Sequence, residues 1–192
     1  LEFRRVLFRS DLTNILYTYY LLENVLLRYC GEGRIGNRFC LRMSDAEGQM
    51  DNIVRHIVDG FAFSARLEGD RVRYAALNMA AIGKYGSIEF RSMRGTMDPK
   101  VLLPWLRIIG SLKTFGMDHK SPVEIQHKFE QLGPMAFLEA VVGEDVEHLK
   151  NAHTEMDMAE AYSLSYEIPR KWAANQARVA RHEEALKRLA EG

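Results

Sequence analysis

The sequence predicts an α+β fold dominated by helix, on three observations. Apolar residues recur at helical spacing in several separate stretches. One short segment, residues 86–92, alternates polar and apolar in the manner of a half-buried strand. The composition is that of a folded domain: 192 residues, 47% hydrophobic and 27% charged. That length supports one real core. The 26 basic and 26 acidic residues cancel. Net charge therefore gives no reason to expect nucleic acid or an anionic membrane as partner.

The first ten residues, LEFRRVLFRS, lack a signal-peptide cleavage pattern. They resemble adapter-derived translated sequence at the ends of incomplete gene assemblies. They are set apart as a non-native segment, with the expectation that coding sequence extends upstream. Asp11 is then read as an N-cap. Leu12, Ile15, Leu16, Tyr19, Leu22, Val25, Leu26 and Tyr29 follow at helical spacing, predicting a long buried helix that ends at Gly31. A glycine-containing loop spans 31–36. A second helix is expected over 44–58 and extended pieces over 61–65 and 71–79, with a turn at Gly69-Asp70.

The best strand is 86–92. Asp98-Pro99 then opens a helix with a capping oxygen followed by proline at the first helical position. Its apolar face is read as Val101, Leu102, Trp105, Leu106, Ile109 and Leu112, with Gly116 as the stop. Pro122 and Pro134 each start a further helix, to about residues 132 and 142. A tail helix from about 169 carries only a thin stripe of Trp172, Val179, Leu186 and Leu189. Residues 119–192 are expected to form a helical C-terminal extension to residues 11–118.

Several chemical signatures are absent or misleading. The two cysteines, Cys30 and Cys40, fit neither a disulfide framework nor short zinc spacing, and point to a reducing, cytoplasmic setting. Six histidines form no H-x3-H or HExxH pair. Gly31-Glu32-Gly33-Arg34-Ile35-Gly36 matches G-x-G-x-x-G. However, a helix precedes it and none opens at Gly36, the reverse of the dinucleotide fingerprint.

The informative stretch is 73–98. On a strand, residues two apart share a face. Ser87, Glu89, Arg91 and Met93 therefore line one side, and Ile88 and Phe90 the other. Glu89 can hold Mg2+ through hard oxygen contacts. Arg91 can clamp a phosphate. Arg94, Gly95 and Thr96 follow in a turn that leads to a helix N-terminus, where anions are favoured. The same Glu and Arg can equally be a surface ion pair worth under about 1 kcal/mol.

Three linked pieces carry a resemblance: Arg73-Tyr74-Ala75-Ala76-Leu77-Asn78, Gly86-Ser87-Ile88-Glu89-Phe90-Arg91, and Arg94-Gly95-Thr96-Met97-Asp98 followed by the helix with Trp105. In order and spacing they resemble the amidoligase family of phages, bacteria and fungi, within the carboxylate–amine ligase superfamily of glutamine synthetase and glutamate–cysteine ligase. The upstream helix and Arg38-Phe39-Cys40 are also similar, so the likeness covers about residues 11–115.

The resemblance implies that residues 11–118 are a helix-rich fragment, the C-terminal part, of a glutamine synthetase-like antiparallel sheet domain, and that the activity is that of an ATP- and Mg2+-dependent ligase acting through an acyl phosphate. Its substrates would be small-molecule or peptide carboxylates and amines, with no nucleic acid or membrane partner. It implies Glu89 as a metal ligand, Arg91 as a catalytic and phosphate-contacting residue, and Arg73, Asn78 and Arg94 as nucleotide-binding neighbours. The chain departs from the family at Met93-Arg94, where Glu is usual, and it lacks the family's acidic N-terminal strand and histidine-containing strand. The expectation is a truncated ligase, inactive in isolation. The alternative is a non-catalytic helical interaction or phage-associated structural protein that retains the fold.

Overall fold

A computed structural model describes residues 9–38, 40–42, 45, 74–79 and 81–191. The expected helix over 44–58 except Asp45, the extended pieces over 61–65 and 71–73, and Arg73 itself lie outside the described residues. What is described is helix-rich, with one small antiparallel sheet, in keeping with the α+β expectation.

The central element is α1, Arg9–Cys30. Ile15, Leu16, Leu22, Val25 and Leu26 are buried as the periodicity predicts. Tyr17, Leu21 and Leu27 on its other sides are buried too. A helix wrapped on all sides loses its amphipathic signature, because every face meets a neighbour. Asp11 lies inside the first turn rather than before it, so it acts on the helix dipole rather than as the predicted cap. A short 3-10 turn, Glu32–Arg34, follows Gly31, with no strand before it. The glycine-rich match is therefore a loop.

β1 (Leu77–Asn78) and β2 (Glu89–Phe90) pair antiparallel, with Leu77 opposite Phe90 and Asn78 opposite Glu89. Only two residues of the predicted strand 86–92 have strand geometry, although the alternation persists. Ser87 and Glu89 are exposed, Phe90 packs against the core and Ser92 is buried. A five-residue helix, α2 (Ala81–Tyr85), links the two strands. It was not legible in the sequence, since five residues are too few to show a helical period.

α3, Pro99–Met117, starts as predicted: the Asp98 side chain accepts a hydrogen bond of 2.9 Å from the Lys100 N–H. Its buried row is Trp105, Ile108, Leu112, Phe115 and Gly116. Leu106, placed in the core by the sequence reading, is 56% exposed. The buried stripe is rotated toward α1, which is the main neighbour of α3 in this part of the chain.

Gly116 does not stop the helix. Asp118 caps it, its N–H bonding to the Thr114 and Phe115 carbonyls. Gly116 instead lets α3 approach α1: a Cβ there would sit 2.9 Å from Ile15 backbone atoms. Gly116→Ala should therefore cost stability, by about 2 kcal/mol, despite alanine's better helix propensity. Urea titration checks this; a stability gain would show that the two backbones are not in contact.

α4 (Pro122–Leu132) and α5 (Pro134–Val142) begin at the expected prolines. The Ser121 side chain accepts a 3.3 Å bond from the Glu124 N–H and caps α4. A 3-10 turn, Gly143–His148, leads to α6, Thr154–Ser165, and then to the tail helix α7, Glu167–Glu191. The sequence reading did not anticipate α6. Its apolar residues are not gathered on one helical face, so no period shows, yet Met158 is fully buried, and α6 lies along α1. Ile125, Phe129, Phe137, Met158 and Ile168 share one apolar cluster with α1 and α3. Among the described residues no helix is long and apolar enough to cross a membrane.

Candidate functional site at the hairpin

The hairpin sets Asn78 directly across from Glu89. Opposed residues on one face of a sheet lie about 5 Å apart at Cβ. The Asn78 Nδ2 donates to Glu89 Oε2 at 2.6 Å. Asn78 is buried, so this amide fixes the carboxylate from beneath. Arg91 is the next outward-facing residue along the chain. Its backbone N–H bonds the Ala76 carbonyl at 2.8 Å, which extends the pairing past β2. Its Nε lies 3.8 Å from Glu89 Oε1. The guanidinium also sits 5.9 Å from the centre of the Tyr74 ring.

Glu89 and Arg91 thus share a face, as the period-2 reading required. Their side chains are 51% and 28% exposed, so they are accessible from outside. At that exposure their mutual attraction contributes under about 1 kcal/mol. The face is therefore shaped by backbone pairing and by Asn78, and the ion pair is a consequence of that pairing.

The opposite face anchors the hairpin. Phe90 meets Tyr19 edge-on at 5.7 Å, and the Tyr19 hydroxyl shares a 3.2 Å hydrogen bond with Ser92 Oγ. Burial, then the nearby Glu23 charge, pushes the Tyr19 hydroxyl well above its ordinary pKa, so it stays protonated. Burial likewise raises the Cys30 thiol to about 12, and Cys40 is raised for the same reason. Neither thiol is a nucleophile at neutral pH.

Arg34 belongs to the same region and was missed in the sequence. Its Nη2 donates to the Met93 carbonyl at 3.1 Å, bracing the segment after Arg91. No local pattern signals a contact across 59 residues. Arg94 leans toward the Gly31 turn, its Nη1 3.8 Å from where a Cβ on Gly31 would stand. Arg34 and Arg94 both act on the Cys30 thiol, and Arg34 and Arg91 both act on Cys40, each partly offsetting the effect of burial.

The structure brings Glu89, Arg91 and Asn78 together, whereas the Arg94 guanidinium turns toward Gly31. Arg73 lies outside the described residues. The N-terminus of α3 offers less to an anion than the sequence suggested, because the Asp98 carboxylate already serves its first turn.

The arrangement suits a phosphate or carboxylate. Guanidiniums give charge-assisted, forked hydrogen bonds to such anions. It suits Mg2+ poorly. Among the described residues no group of three or more Asp, Glu, His or Cys could hold a metal ion, and Mg2+ needs several hard oxygen ligands.

No family model, curated protein or solved structure matches this chain.

Proposed function

We propose that the chain carries the nucleotide-phosphate side of an ATP-dependent carboxylate–amine ligase. The observation that supports this is the exposed face of the hairpin. There a carboxylate fixed by Asn78 lies beside Arg91, and Arg34 braces the backbone at Met93, two residues on. In the reaction, the ATP γ-phosphoryl group moves to a substrate carboxylate oxygen and ADP leaves. The amine nitrogen then attacks the acyl carbon, forming the amide and expelling phosphate. Arg91 offsets negative charge on the transferring group, and Arg94 holds the polyphosphate. Asn78 is a positioning residue that orients Glu89.

Glu89 alone does not complete a Mg2+ site, and no step is assigned to the ion. Binding, rather than turnover, is therefore the decisive measurement on this chain. ATP titrated by calorimetry should bind saturably. Arg91→Ala should weaken it at least about tenfold, which is roughly 1.4 kcal/mol, with the melting temperature unchanged. Glu89→Gln, tested without Mg2+, should bind as well or slightly better, since one repelling charge is gone. Absence of ATP binding, or equal binding by Arg91→Ala, would leave Glu89 and Arg91 as an ordinary surface pair.

A further inference from the structure

α3 keeps one row of apolar side chains outside the core. Leu103 is 53% exposed and Leu106 56%. Gly110 is the next residue on that row, and a Cβ built there would meet nothing within 4 Å. Positions i, i+3 and i+7 lie on one side of a helix. The row is thus continuous over two turns, and its glycine end leaves room for another backbone to come close. α3 contains Lys100, Arg107 and Lys113 and no acid. Arg107 is held by Asp145, while Lys100 and Lys113 flank the row on opposite sides.

An apolar row between cations matches an apolar row between acids, and the chain itself supplies one. Within 44–58, Met50, Ile53, Val54 and Ile57 recur at helical spacing. Asp45, Glu47 and Asp51 outnumber Arg55 there. Asp45 pairs with Arg42, so Glu47 and Asp51 carry the acid character of the rest. Apart from Asp45, this stretch lies outside the described residues; its periodicity and charge are properties of the sequence. A helix with such a stripe is stable only when the stripe is covered.

Connectivity puts the two within reach. Arg42 bonds Asn24 of α1 at 3.1 Å. The Tyr29 hydroxyl, also on α1, donates to the Val101 carbonyl of α3 at 2.7 Å. Asn24 and Tyr29 are about 8 Å apart along the helix axis. The stretch therefore starts near the first turns of α3. Tethering presents it to a nearby surface at an effective concentration on the order of millimolar.

Other occupants fit less well. A second copy docked through the same face would set like cations together. A bilayer needs a broad apolar face, and Trp105, Ile108 and Leu112 of α3 are turned into the core.

We propose that Leu103, Leu106 and Gly110 form the docking face for residues 44–58 of the same chain, bound as an acidic amphipathic helix with Glu47 and Asp51 toward Lys100 and Lys113. No hairpin residue takes part, so the assignment stands apart from the ligase reading.

The test is amide hydrogen exchange on the full chain, read by mass spectrometry. Amides 50–58 should exchange at least about tenfold more slowly than in a free peptide of the same sequence. The double variant Leu103→Glu, Leu106→Glu should remove that protection, with circular dichroism confirming that the body stays folded. Lys100→Glu should weaken the protection, and adding Asp51→Lys should restore it. The proposal is overturned if amides 50–58 exchange at the free-peptide rate, or if the leucine variant leaves them protected. It is equally overturned if the leucine variant instead abolishes a concentration-dependent dimer in sedimentation, or binding to phosphatidylglycerol vesicles.

Discussion

Phe137→Ala is expected to remove about 4 kcal/mol of stability, near the top of the range for a buried aromatic cut back to a methyl group. Phe137 is fully buried on α5. Its ring meets Phe115 of α3 edge-on at 5.5 Å and Phe129 of α4 at 4.9 Å. It therefore ties three helices at one point. Backbone at three helices cannot all shift inward to fill the space, so most of the cavity remains. The urea midpoint should fall sharply with the slope unchanged. Leu132→Ala, at an exposed position on α4, should stay within about 0.5 kcal/mol. A loss under about 1 kcal/mol for Phe137→Ala would mean that α5 is not docked as described.

The second large effect is expected at Arg28→Met, about 3 kcal/mol. Arg28, in the last turn of α1, forks onto Asp157 of α6. Nε reaches one carboxylate oxygen and Nη2 the other, the latter at 2.9 Å. The Asp157 side chain is only 4% exposed. Removing the guanidinium leaves a carboxylate in the interior without its partner, the costly way to break a buried pair. Methionine keeps most of the aliphatic packing, so the change isolates the charge. The companion variant Asp157→Asn should cost less, because its amide oxygen can still accept from Arg28 and no buried charge is stranded. Equal losses for the two variants would argue that packing, and not desolvation, dominates this contact.

Much of the helical framework was legible from local signals. Asp98-Pro99 announces its helix through a cap and a fixed backbone angle, and Pro122 and Pro134 announce theirs through the fixed angle, signals that act within four residues. α6 was missed because its stability comes from outside it: Asp157 is held by Arg28 and Met158 sits under α1. Leu106 and Gly116 were misassigned for a related reason. A helical period shows that a helix has an apolar side, but the neighbour decides which row is covered. A glycine can end a helix or allow a close approach, and only the position of Ile15 distinguishes the two.

At the hairpin, alternation alone placed Glu89 and Arg91 on one face, because the pleat of a strand has a fixed period of two. The sequence by itself determined that shared face, the proline-led helix starts and the buried character of α1. Tertiary structure alone decided that Asn78 fixes Glu89, that Arg34 braces the segment after Arg91, and that Arg28 holds Asp157. Each of these unites residues far apart in the chain. Their approach is set by packing of the shared apolar core, which no window of neighbouring residues encodes.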